Sequence, residues 1–557
     1  MPISKHPLER AVLYEPKLPV WLTHIWQRRS DHDRLGLVLG AGVSRDAGVP
    51  MWEELVRRLT TAAKMSPRRM AIHKKARYPE TFLAEILFRK HCADEKERKS
   101  NSEIKPEHKN YHINSTWREK IRTCLYRDIR KKKLSDIAKT HTYLMPLAKL
   151  VCNARFAVTF NFDDIVDEAV IACAKDGGLA KPEIIYHPKI ETRKNAPVIY
   201  HINGNLPRDR LRRSSENIVL TEDAFADVLL SPNSQDAEFV INQFAIRTFV
   251  LIGVSLNDNS LKNLLRSSAK RNPANHHFII FHEKDREPRT EEERKDLFDV
   301  NLNVYNLISI FLTTAEIKAF IEIINEENGD SFDRALGALV SSKVDRKYYL
   351  VGSIAAGKSS TLDNLRCFTT HEEFSGRVPA AMYQDDKTLT DEQQKEVDDF
   401  LFPQLIEKNF NMIRMNAGIR IMDRAYLDLF AFSKGNRVEI NRKAIELKKR
   451  FKAWGKPLED GHVFFLKASK PALEERLARR GTNKRVRGKV SFETDTLLKQ
   501  EAELLKIYGP PNAVIDTSNS TVGDTAKCIA RVILLEKYCP FDFSARLEEI
   551  IKKRGRL

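Results

Sequence analysis

Short apolar runs recur along the chain, each followed by a turn and a stretch of helical patterning, and this alternation restricts the fold more than any other feature. The first series is Leu35-Gly36-Leu37-Val38-Leu39, Phe156-Ala157-Val158-Thr159, Val198-Ile199-Tyr200, Thr248-Phe249-Val250-Leu251-Ile252 and Phe278-Ile279-Ile280-Phe281. A second series comprises Tyr348-Tyr349-Leu350-Val351, Arg420-Ile421-Met422, Val463-Phe464-Phe465-Leu466 and Ala513-Val514-Ile515. Strands this apolar, separated by amphipathic helices such as that around Trp52, Leu55, Val56 and Leu59, form parallel sheets covered by helices. The expected fold class is α/β, with two parallel-sheet domains at residues 1–340 and 341–557. The boundary is placed near Val340, within the polar, small-residue-rich stretch Glu326 to Lys343, where Ala335 to Val340 suits a short helix. Residues 66–136 lack strand-like runs and are rich in Lys, Arg and Glu, which predicts a helical insertion in the first domain.

Composition narrows the function classes. Lys and Arg number 94 against 76 Asp and Glu, a net charge of +18 that favours anionic ligands: nucleotides, phosphates or nucleic acid. The basic clusters between Arg89 and Lys133 carry interleaved acids and read as solvated helix faces, so nucleic acid is a possible but not a favoured partner. No run of about 18 apolar residues is present. The segment Met1 to Tyr14 carries Lys5, Glu9 and Arg10 with no apolar stretch behind them, so no membrane association and a cytoplasmic location are expected. Seven cysteines without a C-x-x-C pair predict a reduced protein with no structural zinc.

The first apolar run ends in Gly40-Ala41-Gly42-Val43-Ser44, and Gly48-Val49-Pro50 leads into the helix near Trp52. Glycines after a strand let the main chain approach a phosphate, while the amides and partial positive charge of a helix start face it. As a dinucleotide fingerprint the spacing is incomplete, because Arg45 stands where a third glycine belongs. A plain structural turn explains a lone Gly-x-Gly equally well.

The whole run Gly40-Ala41-Gly42-Val43-Ser44-Arg45-Asp46-Ala47-Gly48-Val49-Pro50-Met51-Trp52 resembles the signature loop of the sirtuin superfamily, in its prokaryotic sirtuin-like branch. Three segments continue the resemblance in order: Thr159-Phe160-Asn161-Phe162-Asp163-Asp164, Tyr200-His201-Ile202-Asn203-Gly204, and Leu251-Ile252-Gly253-Val254-Ser255-Leu256-Asn257-Asp258. One departure is Asn203, where the branch commonly has a second histidine. The resemblance implies a Rossmann-like sirtuin fold that binds NAD through Gly40, Ala41, Gly42, Ser44, Asp46, Gly253, Ser255 and Asp258. It places Asn161, His201 and Asp163 at the catalytic centre. Breaking the nicotinamide glycosidic bond passes through an oxocarbenium-like state that needs an oriented acceptor and a group managing protons. Asn161 would hold the ribose and a water without titrating, and His201, with an ordinary pKa of about 6.5, would accept a proton. Asp163 would orient its neighbours. Protein-deacylating sirtuins usually carry a zinc ribbon of two C-x-x-C pairs, which this chain lacks. The resemblance therefore favours an NAD hydrolase, as in the branch that depletes NAD in bacterial antiphage defence, over a deacylase or ADP-ribosyltransferase.

The second series opens on Gly352-Ser353-Ile354-Ala355-Ala356-Gly357-Lys358-Ser359, which matches G-x-x-x-x-G-K-[ST] at every fixed position, between a strand and a helix expected from Ser360. Amides between Gly352 and Gly357 would cradle phosphates, Lys358 would reach the β and γ groups of ATP or another nucleoside triphosphate, and Ser359 would coordinate Mg2+, with Ser360 beside it. Downstream, Ile421-Met422-Asp423-Arg424-Ala425-Tyr426-Leu427 resembles P-loop kinases of the thymidylate and deoxynucleoside kinase group. That resemblance implies that Asp423 assists the metal or acceptor and that Arg424 holds a phosphate. It also likens the basic helix end Glu474 to Arg485 to a lid, with Arg479, Arg480 and Arg485 on the transferring phosphoryl group. A solvated helix end is the alternative. Asp385 and Asp386, after a possible strand Ala380 to Tyr383, are candidates for an acidic base.

Together these readings predict an NAD-depleting immune effector governed by a C-terminal nucleotide-binding domain. The expected ligands are NAD and a nucleotide or nucleoside, with a homo-oligomeric state and a phage-derived trigger. A non-enzymatic nucleotide sensor that binds nucleic acid is the alternative from another class.

Overall fold

The computed structural model describes residues 6–30, 33–98, 109–186, 195–216, 218–224, 235–284, 287–340, 343–373, 379–383, 390–414, 418–433, 436–481, 494–509 and 511–556. The chain divides into two compact units. The first holds Met1–Leu18, Arg28–Arg271 and His276–Glu327; the second holds Pro19–Gln27, Asn272–Asn275 and Asn328–Leu557. No helix among the described residues is long and apolar enough to cross a membrane.

The first unit is built on a seven-stranded sheet: β1 (Leu35–Leu39), β2 (Phe156–Thr159), β3 (Glu183–Ile185), β4 (Val198–His201), β5 (Thr248–Ile252), β6 (His277–His282) and β7 (Leu307–Leu312). Their order is β3-β4-β2-β1-β5-β6-β7, with every pairing parallel. Strands β1, β2, β4 and β5 are buried at every position, as strands covered on both faces must be. β1 lies between β2 and β5, so the chain leaves its carboxyl end toward one half of the sheet and returns on the other side. Such a switch point opens a crevice where open α/β sheets bind ligands. Between β1 and β2 the described residues form only helices and turns, including Pro67–Lys75, Glu80–Arg98, Lys109–Leu125 and Leu134–Thr140.

The second unit has a five-stranded sheet: β8 (Arg346–Val351), β9 (Thr369–His371), β10 (Ile419–Asp423), β11 (His462–Lys467) and β12 (Ala513–Asp516). The order is β12-β11-β8-β10-β9, again parallel throughout, with β8 at the centre. Tyr349, Tyr426 and Phe543 lead its core, with ring centroids 5.0 to 5.6 Å apart.

Four elements depart from the sequence reading. β3 and β9 are three-residue strands with too little apolar length to register. β7 is apolar except for Ser309, and without alternation it fits a buried helix as well as a strand. Ala380–Tyr383, expected as a strand, is a turn of 3-10 helix. A capped helix, Gly329–Gly337, occupies the stretch in which the boundary was sought. Asn328 and Ser331 form its capping box, and Phe332 stacks on Trp26 at 4.6 Å, which ties this polar-looking segment to the second unit.

The turns after β1 and β5 meet backbone to backbone. Gly40 N–H donates to Ile252 O at 3.0 Å and Gly42 N–H to Gly253 O at 2.9 Å. A β-carbon on Gly253, at φ +67°, would lie 2.5 Å from Val43 N and 2.9 Å from the Gly42 carbonyl carbon. Gly253→Ala should therefore destabilise the first unit by roughly 2 kcal/mol or more. Gly178→Ala, at φ +64° with nothing within 4 Å of the new methyl, should cost less. The two calorimetric unfolding midpoints test this difference, which isolates packing from backbone strain.

Candidate functional site

At the carboxyl ends of β1, β2 and β4 a buried hydrogen-bonded group forms. The short helix Ala41–Arg45 places Ser44 so that its hydroxyl donates to Asp163 Oδ1 at 2.8 Å. Asn161, two residues past β2, donates from Nδ2 to Gly40 O at 3.0 Å and to Ser44 Oγ at 3.2 Å. Asp163 also accepts the Ile165 N–H at 3.2 Å, fixing the start of the helix Ile165–Asp176. His201 ends β4, with Nδ1 3.0 Å from the Asn161 carbonyl and Nε2 3.1 Å from both carboxylate oxygens of Asp167. Asn203 Nδ2 donates to Phe160 O, and Tyr126 from the helical insertion donates to Asp164 Oδ1 at 2.8 Å.

Burial sets the electrostatics. It pushes the Asp163 carboxyl up to about 6, against the Ser44 and Ile165 hydrogen bonds, and raises Asp164 in the same direction. For His201 burial opposes the charged form, but Asp167 and the Asn161 carbonyl outweigh it and hold the pKa above 6.5. An amide, a histidine and a hydroxyl thus converge beside the β1 turn.

The second unit gathers an opposed set of charges around the loop after β8. Gly352 (φ +151°), Ala355 (φ +67°) and Gly357 (φ +97°) bend the main chain back on itself before the helix Lys358–Asn364. Lys358 Nζ donates to the carbonyls of Gly352 and Ser353 at 2.9 and 2.8 Å. Ser359 Oγ donates to Asp423 Oδ2 at 2.8 Å, while Asp423 Oδ1 is buried with no hydrogen-bond partner. Lys408 donates to Asp423 O at 2.9 Å, and Arg424 pairs with Glu373. Arg424 has φ +62° and gives its N–H to Leu350 O at 2.9 Å. Tyr508 donates to Asp428. Burial, with Arg424 nearby, lowers Lys358 to about 8, and burial lowers Lys408 to about 8. Burial raises Asp428 to about 6 even beside Arg424. Glu373 is held below the ordinary carboxylate value: burial opposes this, but Arg424, Lys358 and Lys408 prevail.

Of the residues singled out in the sequence, Gly40, Ser44, Asn161, Asp163 and His201 are linked directly, and Gly42 and Gly253 hold the turn beside them. Gly40 and Gly42 are required for contact with the β5 turn, because a β-carbon on either would strike Gly253. Ala41 lies in the same short helix. Ser255 and Asp258 bond within their own turn, to Asn257 N–H and Leu261 N–H, and Asp46 lies 3.5 Å from Arg45. Lys358, Ser359, Asp423 and Arg424 do come together, whereas Ser360 is exposed on the helix behind them. Arg479 is exposed and pairs with Glu475. The Arg480 side chain and Arg485, Asp385 and Asp386 lie outside the described residues. Sequence reasoning missed Asp167, Glu373 and Lys408, while Arg476, within the basic helix end Glu474 to Arg485, donates to Ala355 O at 3.2 Å and Thr517 Oγ1 at 3.0 Å.

A family model described as SIR2-like domain matches residues 155–306, a span that includes Asn161, Asp163, His201 and Gly253 and starts after the Gly40 turn. None of the curated proteins matches the chain. Among solved structures, thymidylate kinase from Candida albicans is 15% identical, over 34% of this chain and 92% of that one, with a TM-score of 0.27. The tunicamycin resistance protein of Deinococcus radiodurans is 17% identical, over 35% and 99%, with a TM-score of 0.22.

The buried Asp163 generates a pH prediction. Its pKa rises from 3.8 unfolded to about 6 folded, so below pH 4 both states are protonated and nothing is lost. As pH climbs from 4 through 6 the unfolded state ionises first and stability falls, by roughly 2 to 3 kcal/mol at pH 7. Asp163→Asn keeps an acceptor for Ser44 and Ile165 but removes the titration. Its stability relative to wild type should therefore grow across that window, as read from unfolding midpoints at pH 4 to 7.

Proposed function

We propose that the first unit is an NAD hydrolase releasing nicotinamide and ADP-ribose. The observation that carries this is the Asn161 and His201 pair, hydrogen-bonded to each other and to the Gly40 and Ser44 turn at the switch point of a parallel sheet. The SIR2-like match over the same residues supports it. In the reaction the bond between ribose C1′ and the nicotinamide nitrogen breaks, and its electron pair leaves with the ring, neutralising the pyridinium charge. Water adds to C1′ and loses a proton. Asn161 orients the ribose hydroxyls and the water, Ser44 and Asp163 hold Asn161 in place, and His201 takes the proton. Gly40, Ala41, Gly42 and Gly253 present main chain to the diphosphate, with Asp46, Ser255 and Asp258 bordering the nucleotide.

The second unit is proposed to bind ATP or another nucleoside triphosphate, as a regulatory site or a kinase. Its residues fit Mg2+: a hydroxyl and a carboxylate lie 2.8 Å apart, and the second carboxylate oxygen, Asp423 Oδ1, is buried without a partner. Hard oxygen donors of this kind suit that ion, and Ser359 and Asp423 would hold it. Bound there, it would neutralise phosphate charge, while Lys358 and Arg424 contact the phosphoryl oxygens. Nucleotide occupancy then governs NAD cleavage, as an effector of antiphage immunity requires.

Asn161→Ala and His201→Ala should each reduce nicotinamide release at least about a hundredfold while the protein stays folded. Chromatography of NAD incubations checks this, and wild-type release from both variants would refute the hydrolase. Lys358→Ala should strongly weaken triphosphate binding in calorimetry and erase any difference in NAD cleavage between nucleotide states. Unchanged ATP affinity would remove the phosphate-loop assignment.

A further inference from the structure

Asp167 takes no part in the reaction as proposed above, yet it is the carboxylate that His201 faces. It sits in the first turn of the helix Ile165–Asp176, with both oxygens 3.1 Å from His201 Nε2 and Asn205 Nδ2 3.4 Å from Oδ2. Both side chains are almost wholly enclosed, 3% exposed for Asp167 and 1% for His201. On the opposite side of the ring, Nδ1 faces the Asn161 main-chain carbonyl at 3.0 Å. A carbonyl oxygen only accepts, so Nδ1 carries a hydrogen in either charge state. The nitrogen that titrates is therefore Nε2. As a neutral imidazole it would turn a lone pair toward an anion; as an imidazolium it donates to that anion.

The surroundings single out this pair. Asp163, on the turn after β2, is satisfied by Ser44 and Ile165 N–H. Asp164 is held by Tyr126 and Arg208 N–H, with Arg212 3.7 Å away. Glu168, next to Asp167, pairs with Arg208 at 2.6 Å. From the segment after β4 come the neutral amides of Asn203 and Asn205. Among the described residues, Asp167 has His201 as its cationic partner.

Resting on the reading of the first unit as an NAD hydrolase, we propose that Asp167 is a positioning residue. It holds His201 as a doubly donating imidazolium, anchors the Asn161 main chain through that ring, and sets the pH above which His201 accepts the proton of the attacking water. In that step the water O–H bond breaks as the C1′–O bond forms. The proton passes to Nε2, whose lone pair is available only after the imidazolium has lost its own proton to solvent and the neutral ring, left lone pair to lone pair against Asp167, has turned from that carboxylate toward the water. The site is consequently restrained while the ring is protonated and released as pH rises through the ring's own pKa.

Asp167→Asn removes the charge and offers an N–H to the Nε2 lone pair, which favours the neutral ring. The acidic limb of kcat/KM for NAD cleavage, inflecting above pH 6.5 in the wild type, should move down by at least about one unit, so that the variant-to-wild-type rate ratio rises about tenfold from pH 8 to pH 5.5. Asp167→Glu, which keeps the charge, should restore the wild-type inflection and guards against a variant that fails to fold. A second readout needs no NAD: the pH titration of the His201 ring by NMR on histidine-labelled protein, assigned with His201→Gln, should shift the same way. A rate that falls equally at every pH, or an unmoved ring titration in Asp167→Asn, would overturn the proposal. Absence of nicotinamide release from the wild type would reject the hydrolase reading, and the ring titration would still decide whether Asp167 holds His201.

Discussion

Main chain pressed against main chain is the constraint on which the first unit depends. The turn after β1 and the turn after β5 share hydrogen bonds from Gly40 and Gly42, and none of Gly40, Gly42 and Gly253 has room for a β-carbon. That contact lets two parallel strands end side by side with their loops interlocked, and it fixes where the Gly40 carbonyl points. Asn161 donates to that carbonyl, Ser44 links Asn161 to Asp163, and His201 reaches back to the Asn161 main chain. The polar group is thus assembled on a backbone junction rather than on mobile side chains, which fixes the orientation of its donors and acceptors.

The second unit solves a different problem, the burial of charge. Lys358, Lys408 and Arg424 share one enclosed space with Glu373, Asp423 and Asp428. Unpaired, any of these ions would cost several kcal/mol to desolvate. Together they offset one another, and the offset is uneven: Lys358 and Lys408 are depressed to about 8 while Glu373 stays ionised. An arriving phosphate adds negative charge to this set and would strengthen the hold of both lysines on their protons.

The parallel strands were legible because burial on both faces turns them into plain apolar runs, and the two glycine-rich turns because their spacing carries a mechanism. Partners set by the fold were not. Glu373 and Arg424 are 51 positions apart and Asp167 and His201 are 34 apart, and no local spacing reveals such pairs. Asp167 did leave one trace, as one of two adjacent acids inside the otherwise apolar stretch Ile165-Val166-Asp167-Glu168-Ala169-Val170, and the one of the two that is buried on that helix. A buried acid in such a place needs a cation or a donor. Lys408 left none, since basic residues on helices usually face water.

Arg424 shows charge pairing and backbone ease diverging at a single position. Its left-handed backbone, at φ +62°, is one that glycine adopts without penalty and arginine does not. A drift to glycine there would relieve local strain and at the same time delete the guanidinium that Glu373 balances. Local backbone ease and the ion pair with Glu373 therefore make opposite demands on this residue, and the arginine present satisfies the second at the expense of the first.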